Sequence, residues 1–155
     1  MAFTTRTATA SSTRRIVVSD GVNTTLFPTV SAGAGFTSID SFAPAINDSG
    51  LVAFRGNDNQ PTARDSVFVT DGTNFLRLAG VNDTLQTDTG PRVISSLMGS
   101  VSLNNNGEVA FGVQFTSASG GGNAIYVAYV PEPGAGLAIL CASLIVSVGR
   151  RNRCH

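Results

Sequence analysis

The 155-residue chain has no tryptophan, a single histidine, two cysteines and only 13% charged residues, and every cationic side chain is arginine. Each shortage closes a class of function. Nucleic-acid-binding domains carry a concentrated basic excess to meet phosphate, whereas here ten arginines stand against ten acids, so no nucleic-acid partner is expected. The histidine, His155, is the last residue, which removes imidazole from general-base catalysis and metal ligation in everything before it. Both cysteines, Cys141 and Cys154, lie near the C-terminus. Residues 1–130 therefore have no disulfide and must hold together by packing. Cys141, inside an apolar run, reads as a small hydrophobe. What is present is 42% hydrophobic residues, enough to exclude full disorder, with seventeen glycines and nine phenylalanines that point to a loop-rich β chain.

The formal charge of zero is a sum of unlike parts. Residues 1–149 carry seven arginines (Arg6, Arg14, Arg15, Arg55, Arg64, Arg77 and Arg92) and all ten acids, a balance of −3. The remaining residues carry Arg150, Arg151 and Arg153, a balance of +3. Between them, Gly134 to Gly149 is sixteen residues without a charge. A helix of that length spans ~24 Å, close to the ~30 Å of a hydrocarbon core. The segment is apolar on every face, unlike a core helix with its polar stripe. A transmembrane helix over 134–149 is expected, with the arginine cluster acting as stop-transfer and fixing a cytoplasmic C-terminus.

Immediately upstream stands Val130-Pro131-Glu132-Pro133, where two prolines around an acid can neither continue a strand nor enter a helix interior. An accessible extended hinge is the expectation. This tail of Pro-Glu-Pro, apolar segment and basic cluster resembles the PEP-CTERM sorting signal of bacterial envelope proteins. The resemblance covers residues 131–155. It implies recognition of Pro131, Glu132 and Pro133 by an exosortase, a membrane-embedded cysteine-type transpeptidase that cuts near the motif. It also implies temporary anchoring in the inner membrane through 134–149, then release to the surface or extracellular space. On this reading these residues are another enzyme's substrate.

The rest of the chain is repetitive. The stretch INDSGLVAF at Ile46–Phe54 recurs as LNNNGEVAF at Leu103–Phe111. The stretch IVVSDGVN at Ile16–Asn23 recurs as VFVTDGTN at Val67–Asn74, and a shorter copy is IYVAYV at Ile125–Val130. The spacing inside each unit is kept as well: Phe3 to Ile16 and Phe54 to Val67 are equal intervals, and Phe111 to Ile125 is longer by one. The repeat intervals are about 3–53 and 54–110, with a partial copy over 111–130. On this register the chain opens in mid-repeat, and further repeat sequence with a signal peptide is expected upstream of Met1.

Each interval reads as β. Asn47 to Gly50 and Asn104 to Gly107 are turns, in which asparagine bonds nearby backbone and glycine takes a positive φ. Leu51–Phe54, Glu108–Phe111 and Ser66–Thr70 are strands, and Asp71-Gly72 turns the last of these into Phe75–Leu78. The alternation of small alanine and large phenylalanine predicts tight stacking between neighbours. The fold class expected is all-β: antiparallel repeat units in an incomplete propeller or stacked sheet over 1–130, followed by the C-terminal hydrophobic helix. The pattern Asn-x-x-Gly-x-Val-Ala-Phe at Asn47–Phe54 and Asn104–Phe111 resembles the tandem NxxGxVAF repeat of exported bacterial proteins. That resemblance implies an extracellular β-rich region and transfers no catalytic residue.

Other chemistry is thinly supported. Asp58, in Gly56–Asn59, could join Asp65 in offering oxygen to calcium, but the stretch lacks the dense acids of a calcium loop and reads as a solvated turn. Gly120 to Gly122 is a flexible loop without the lysine of a phosphate cradle. Three formal glycosylation acceptors begin at Asn23, Asn47 and Asn82 and read as turns. No metal or cofactor is called for. The function expected is that of a non-enzymatic cell-surface or extracellular-matrix protein, with exosortase and the membrane as partners and exopolysaccharide as a candidate ligand. One alternative is a fragment of a glycan-binding or glycan-cleaving propeller. Another is a tail-anchored protein facing the cytoplasm, suggested by the polar stretch Thr4 to Thr13 where a signal peptide would be apolar.

Overall fold

Asparagine-rich turns and runs of β-branched and aromatic residues leave this chain little choice but strands. The computed structural model describes residues 2–6 (backbone only), 14–26 and 35–130. Within them the protein is all-β, and its strand pairs are antiparallel. The first sheet is β1 (Ala2–Arg6), β2 (Arg14–Ser19) and β3 (Thr24–Leu26) in that order. In the second, β4 (Phe36–Ile39) and β5 (Ala45–Ile46) both pair with β6 (Val52–Asp58), followed by β7 (Asp65–Thr70) and β8 (Phe75–Gly80). The third runs β12 (Asn123–Tyr129), β11 (Glu108–Phe115), β10 (Gly90–Leu103) and β9 (Thr84–Thr87).

The sequence repeat is also a repeat of register. Phe3 pairs with Val17 in the first sheet, and at the equivalent place in the second Phe54 pairs with Phe68. The pair Val18–Thr25 likewise becomes Val69–Leu76. From the second sheet to the third, Ala45–Ala53 and Ile46–Val52 return as Ser102–Ala110 and Leu103–Val109. Phe54–Phe68 returns as Phe111–Tyr126, with one residue added between the partners. The long β10 thus does alone what β4 and β5 do in succession. Its register shift between Met98 and Ser102 falls where β4 and β5 are separate.

Alternation along the strands sorts side chains to two faces. On one face of the second sheet, Val52, Phe54 and Phe68 join Phe36 and Ile39 in a core shared with Ile16 of the first. On the other, Ala53, Val67 and Val69 join Val109, Phe111, Val113 and Tyr126 of the third. Alanine and phenylalanine in Val-Ala-Phe therefore serve different interfaces. Phe54 and Phe68 stack at 5.6 Å between ring centroids, with Phe36 edge-on to Phe54 at 5.4 Å. Phe111 and Tyr126 repeat the stack at 6.3 Å, and the Tyr126 hydroxyl donates to the Gln86 carbonyl at 3.1 Å. Each buried ring contributes about 1.5–3 kcal/mol by area, and an aromatic pair about 0.5–1.5 kcal/mol more.

One expectation differs from the structure. Gly56, Asn57 and Asp58 belong to β6, and Asp58 is fully buried, so this stretch is strand and no solvated turn. Gly120 to Gly122 lie in the loop before β12, which is entered by a single 3-10 turn over Ser117–Ser119 ending at Gly120 with φ +103°. The helix expected over 134–149 lies outside the described residues. Among the described residues no helix is long and apolar enough to cross a membrane.

Candidate functional site

The two copies of the repeat turn meet. Asn47 Oδ1 accepts from the Leu51 amide at 2.9 Å and from the Ser49 hydroxyl at 2.9 Å, and Gly50 closes the turn at φ +83°. In the next copy Asn104 Oδ1 accepts from the Glu108 and Asn106 amides at 2.9 and 3.0 Å, and Gly107 takes φ +76°. Asparagine Nδ2 is left free to reach elsewhere. Asn47 donates it to the Asn104 carbonyl at 3.3 Å, tying the second unit to the third. One residue on, the Asp48 amide donates to Asn105 Oδ1 at 3.1 Å and Asn105 Nδ2 returns a bond to Asp48 at 2.6 Å. Asn47, Gly50, Asn104 and Gly107 are therefore brought together at one junction. Capping of its own turn explains asparagine at both places; Asn47 also clamps the neighbouring turn, whereas the Asn104 side-chain amide donates to Glu108 in its own.

Gly107 has a second duty. Its carbonyl accepts from the Val130 amide at 2.8 Å, and a Cβ there would sit well inside contact distance of the Val130 carbonyl. Val130 is buried in the core and is followed directly by Pro131, Glu132 and Pro133. That motif, and Arg150, Arg151 and Arg153, lie outside the described residues.

The charged residues of the second unit form two networks that spacing alone does not announce. Arg55, 6% exposed, pairs with Asp65, lies 3.8 Å from Asp40 and sits 4.0 Å over the Phe42 ring. Its Nη1 donates to the Gly99 carbonyl in the third sheet at 2.5 Å, so a buried cation bridges two units. Burial pushes the Asp65 carboxyl above its ordinary value; its bonds with Arg55 act against this and the Asp40 charge adds to it.

In the second network Asp58 accepts from the Arg64 and Gln60 amides at 3.0 and 3.3 Å and from Ser66 and Arg77 at 3.3 and 3.2 Å. Burial raises its pKa, but these donors outweigh burial and leave it below the usual carboxylate range. Arg77 also binds Asp83 through two nitrogens, at 2.7 and 3.1 Å. Burial opposes its charge, and Asp83 with Asp58 more than restores it. Gly80 is fixed by this network, since a Cβ there would collide with Ser66 and Arg77.

Asp58 and Asp65 thus face different donors, and each carboxylate is already committed to fixed partners. They do not share a cation. Among the described residues no group of three metal-ligating side chains converges. The signal that could have found the networks is the placement of Arg55 and Asp65 near each other on adjacent strands, which only the register reveals. The chain matches no protein-family model, no curated protein and no solved structure.

Proposed function

We propose that this chain is an exported, non-enzymatic surface or extracellular-matrix protein whose folded repeats are presented by a C-terminal sorting signal. The observation that carries the reading is the abrupt change at Val130. Its amide is bonded to Gly107 and its side chain is buried, and the next residue is the first of Pro131-Glu132-Pro133. A cleavable motif has to stand clear of the fold it releases, and this one begins where the last core residue ends. The engagement of Asp58, Asp65 and Arg77 in bonds within the second unit, and of Arg55 in a bond to the third, supports a scaffold over a catalyst.

The same proposal takes the three sheets as successive units of a stacked, propeller-like array, anchored through 134–149 until an exosortase cuts. Face-to-face packing of each sheet on the next supports this. The test is to express the chain in cells with and without an exosortase and compare it with a Pro131→Ala, Pro133→Ala double variant. A smaller product outside the inner membrane, present only for the wild type with the enzyme, is expected. Equal mass and location for both chains would refute the sorting role.

A further inference from the structure

Three consecutive asparagines, Asn104 to Asn106, lead into Gly107, and the first two are tied down. Asn104 Oδ1 caps the Asn106 and Glu108 amides, and its Nδ2 donates to Glu108 at 2.5 Å. Asn105 exchanges two bonds with Asp48. Asn106 is exposed, and its side-chain amide has no hydrogen-bond partner among the described residues. The residue after it is a forced glycine. Gly107 takes φ +76°, and a Cβ there would collide with the Val130 carbonyl. The asparagine is not forced: Ser49 stands at the equivalent place before Gly50, and its hydroxyl closes on Asn47.

We propose that Asn106 is a site of spontaneous deamidation, gated by the opening of its own turn. The chemistry needs a free side-chain amide followed by a main-chain nitrogen with no Cβ beside it, and Asn106-Gly107 is the chain's one Asn-Gly pair. The Gly107 amide gives its proton to solvent base, and its nitrogen attacks Asn106 Cγ. The Cγ–Nδ2 bond breaks and Nδ2 leaves as ammonia, closing a succinimide ring. Water then opens the ring, at Cγ to leave aspartate or at the main-chain carbonyl to leave isoaspartate. Asp20-Gly21 and Asp71-Gly72 could close the same ring only through a protonated carboxyl, with loss of water. Each of those carboxylates is capped by two amides that hold it ionised.

The fold slows the reaction at Asn106 without forbidding it. Gly107 is buried, and its amide donates to the Asn104 carbonyl at 3.2 Å, the long end of the normal range. Ring closure breaks that bond, so only chains with an open turn react. Isoaspartate routes the main chain through Cγ and adds a carbon just ahead of Gly107, whose carbonyl holds the Val130 amide. Conversion therefore loosens the last core residue before Pro131. The site rests on the bonds of its own turn and is independent of the sorting signal.

The experiment incubates the full chain in mild detergent at mildly alkaline pH, folded and in urea. Products are mapped by peptide mass spectrometry, with fragmentation that separates isoaspartate from aspartate. In the folded chain Asn106 should convert before any other described asparagine and before Asp20 or Asp71 isomerise, mainly to isoaspartate and more slowly than in urea. Asn104→Ala removes the caps from the turn and should speed the folded reaction about fivefold. If that variant unfolds, urea below the unfolding transition serves to open the turn in the parent. Asn106→Ser should abolish the product while far-ultraviolet circular dichroism stays unchanged. The Val130 amide should exchange hydrogen faster in converted chains than in Asn106→Ser chains. The proposal is overturned if Asn106 stays intact through many half-lives of the urea reaction, or if another residue converts first. It is equally overturned if opening the turn brings no acceleration, or if conversion leaves Val130 exchange unchanged.

Discussion

The second and third units are built on one register but live in different surroundings. Val67 and Val69 sit at the centre of a core, whereas their counterparts Ile125 and Val127 meet solvent. Asp58, buried and bonded to four donors, has Phe115 in the equivalent place of the third unit. Gly50 has open space where a Cβ would go, while Gly107 is pressed against Val130. A repeat therefore fixes strand pairing and turn geometry, but each residue's energetic weight comes from the neighbour it happens to have.

The largest expected effect separates equivalent positions. Val67→Asp places an unpaired carboxylate in a closed core and should cost several kcal/mol. Ile125→Asp should stay within about 0.5 kcal/mol in dilute urea denaturation, as exposed substitutions do. Similar losses at both would erase the distinction between the two units.

The turn glycines come next. Gly50→Ala should cost about 1–2 kcal/mol for the left-handed backbone alone. Gly107→Ala carries that strain and also collides with Val130, so it should cost more and expose the Pro131–Pro133 hinge to limited proteolysis sooner. Equal stability of the two variants would mean that Val130 is not fixed by Gly107.

Acid should produce the smallest effect, and it should arise in the first and second units, where Asp20, Asp58 and Asp71 are held below the ordinary carboxylate value. Asp58 and Asp71 both have native values below the ordinary 3.8, since hydrogen bonds outweigh the burial that acts against them. A lowered native value contributes stability that is complete above 3.8 and is lost as pH falls through the native pKa. Asp65 runs the opposite way: its raised value favours the fold most below 3.8, and that contribution declines as pH rises through it. Chemical denaturation between pH 5 and pH 2 should therefore show falling stability for the parent and a shallower slope for Asp58→Asn. An unchanged slope would remove Asp58 from the account.

Much of this is legible in the residues. The Asn-x-x-Gly turns and the Val-Ala-Phe strands give the all-β class, because backbone geometry at asparagine, glycine and β-branched residues is a local property. The intervals 3–53 and 54–110, by contrast, divide the chain inside β6 and β11 and not between sheets. Asp71-Gly72-Thr73-Asn74 is a case in point. The Asp71 carboxylate caps the Thr73 and Asn74 amides at 2.8 and 2.7 Å, and Asp20 does the same for Val22 and Asn23 at 2.8 and 2.6 Å. Asp58 is not legible: Gly-Asn-Asp-Asn has turn composition, yet pairing with β7 and the Arg77 side chain hold it in a strand. The clamp from Asn47 to the distant Asn104 is equally hidden, since it depends on how two sheets face each other.

The claim that most needs testing is that the third unit ends in an edge strand whose counterpart in the second is enclosed. Among the described residues β7 is paired on both edges, with β6 and β8, whereas β12 is paired with β11 alone. Residue-resolved amide hydrogen exchange on the full chain reads this difference directly. The expected result is protection of nearly every amide in β7, and alternation of slow and fast amides along β12. Continuous protection along β12, equal to that of β7, would contradict the account.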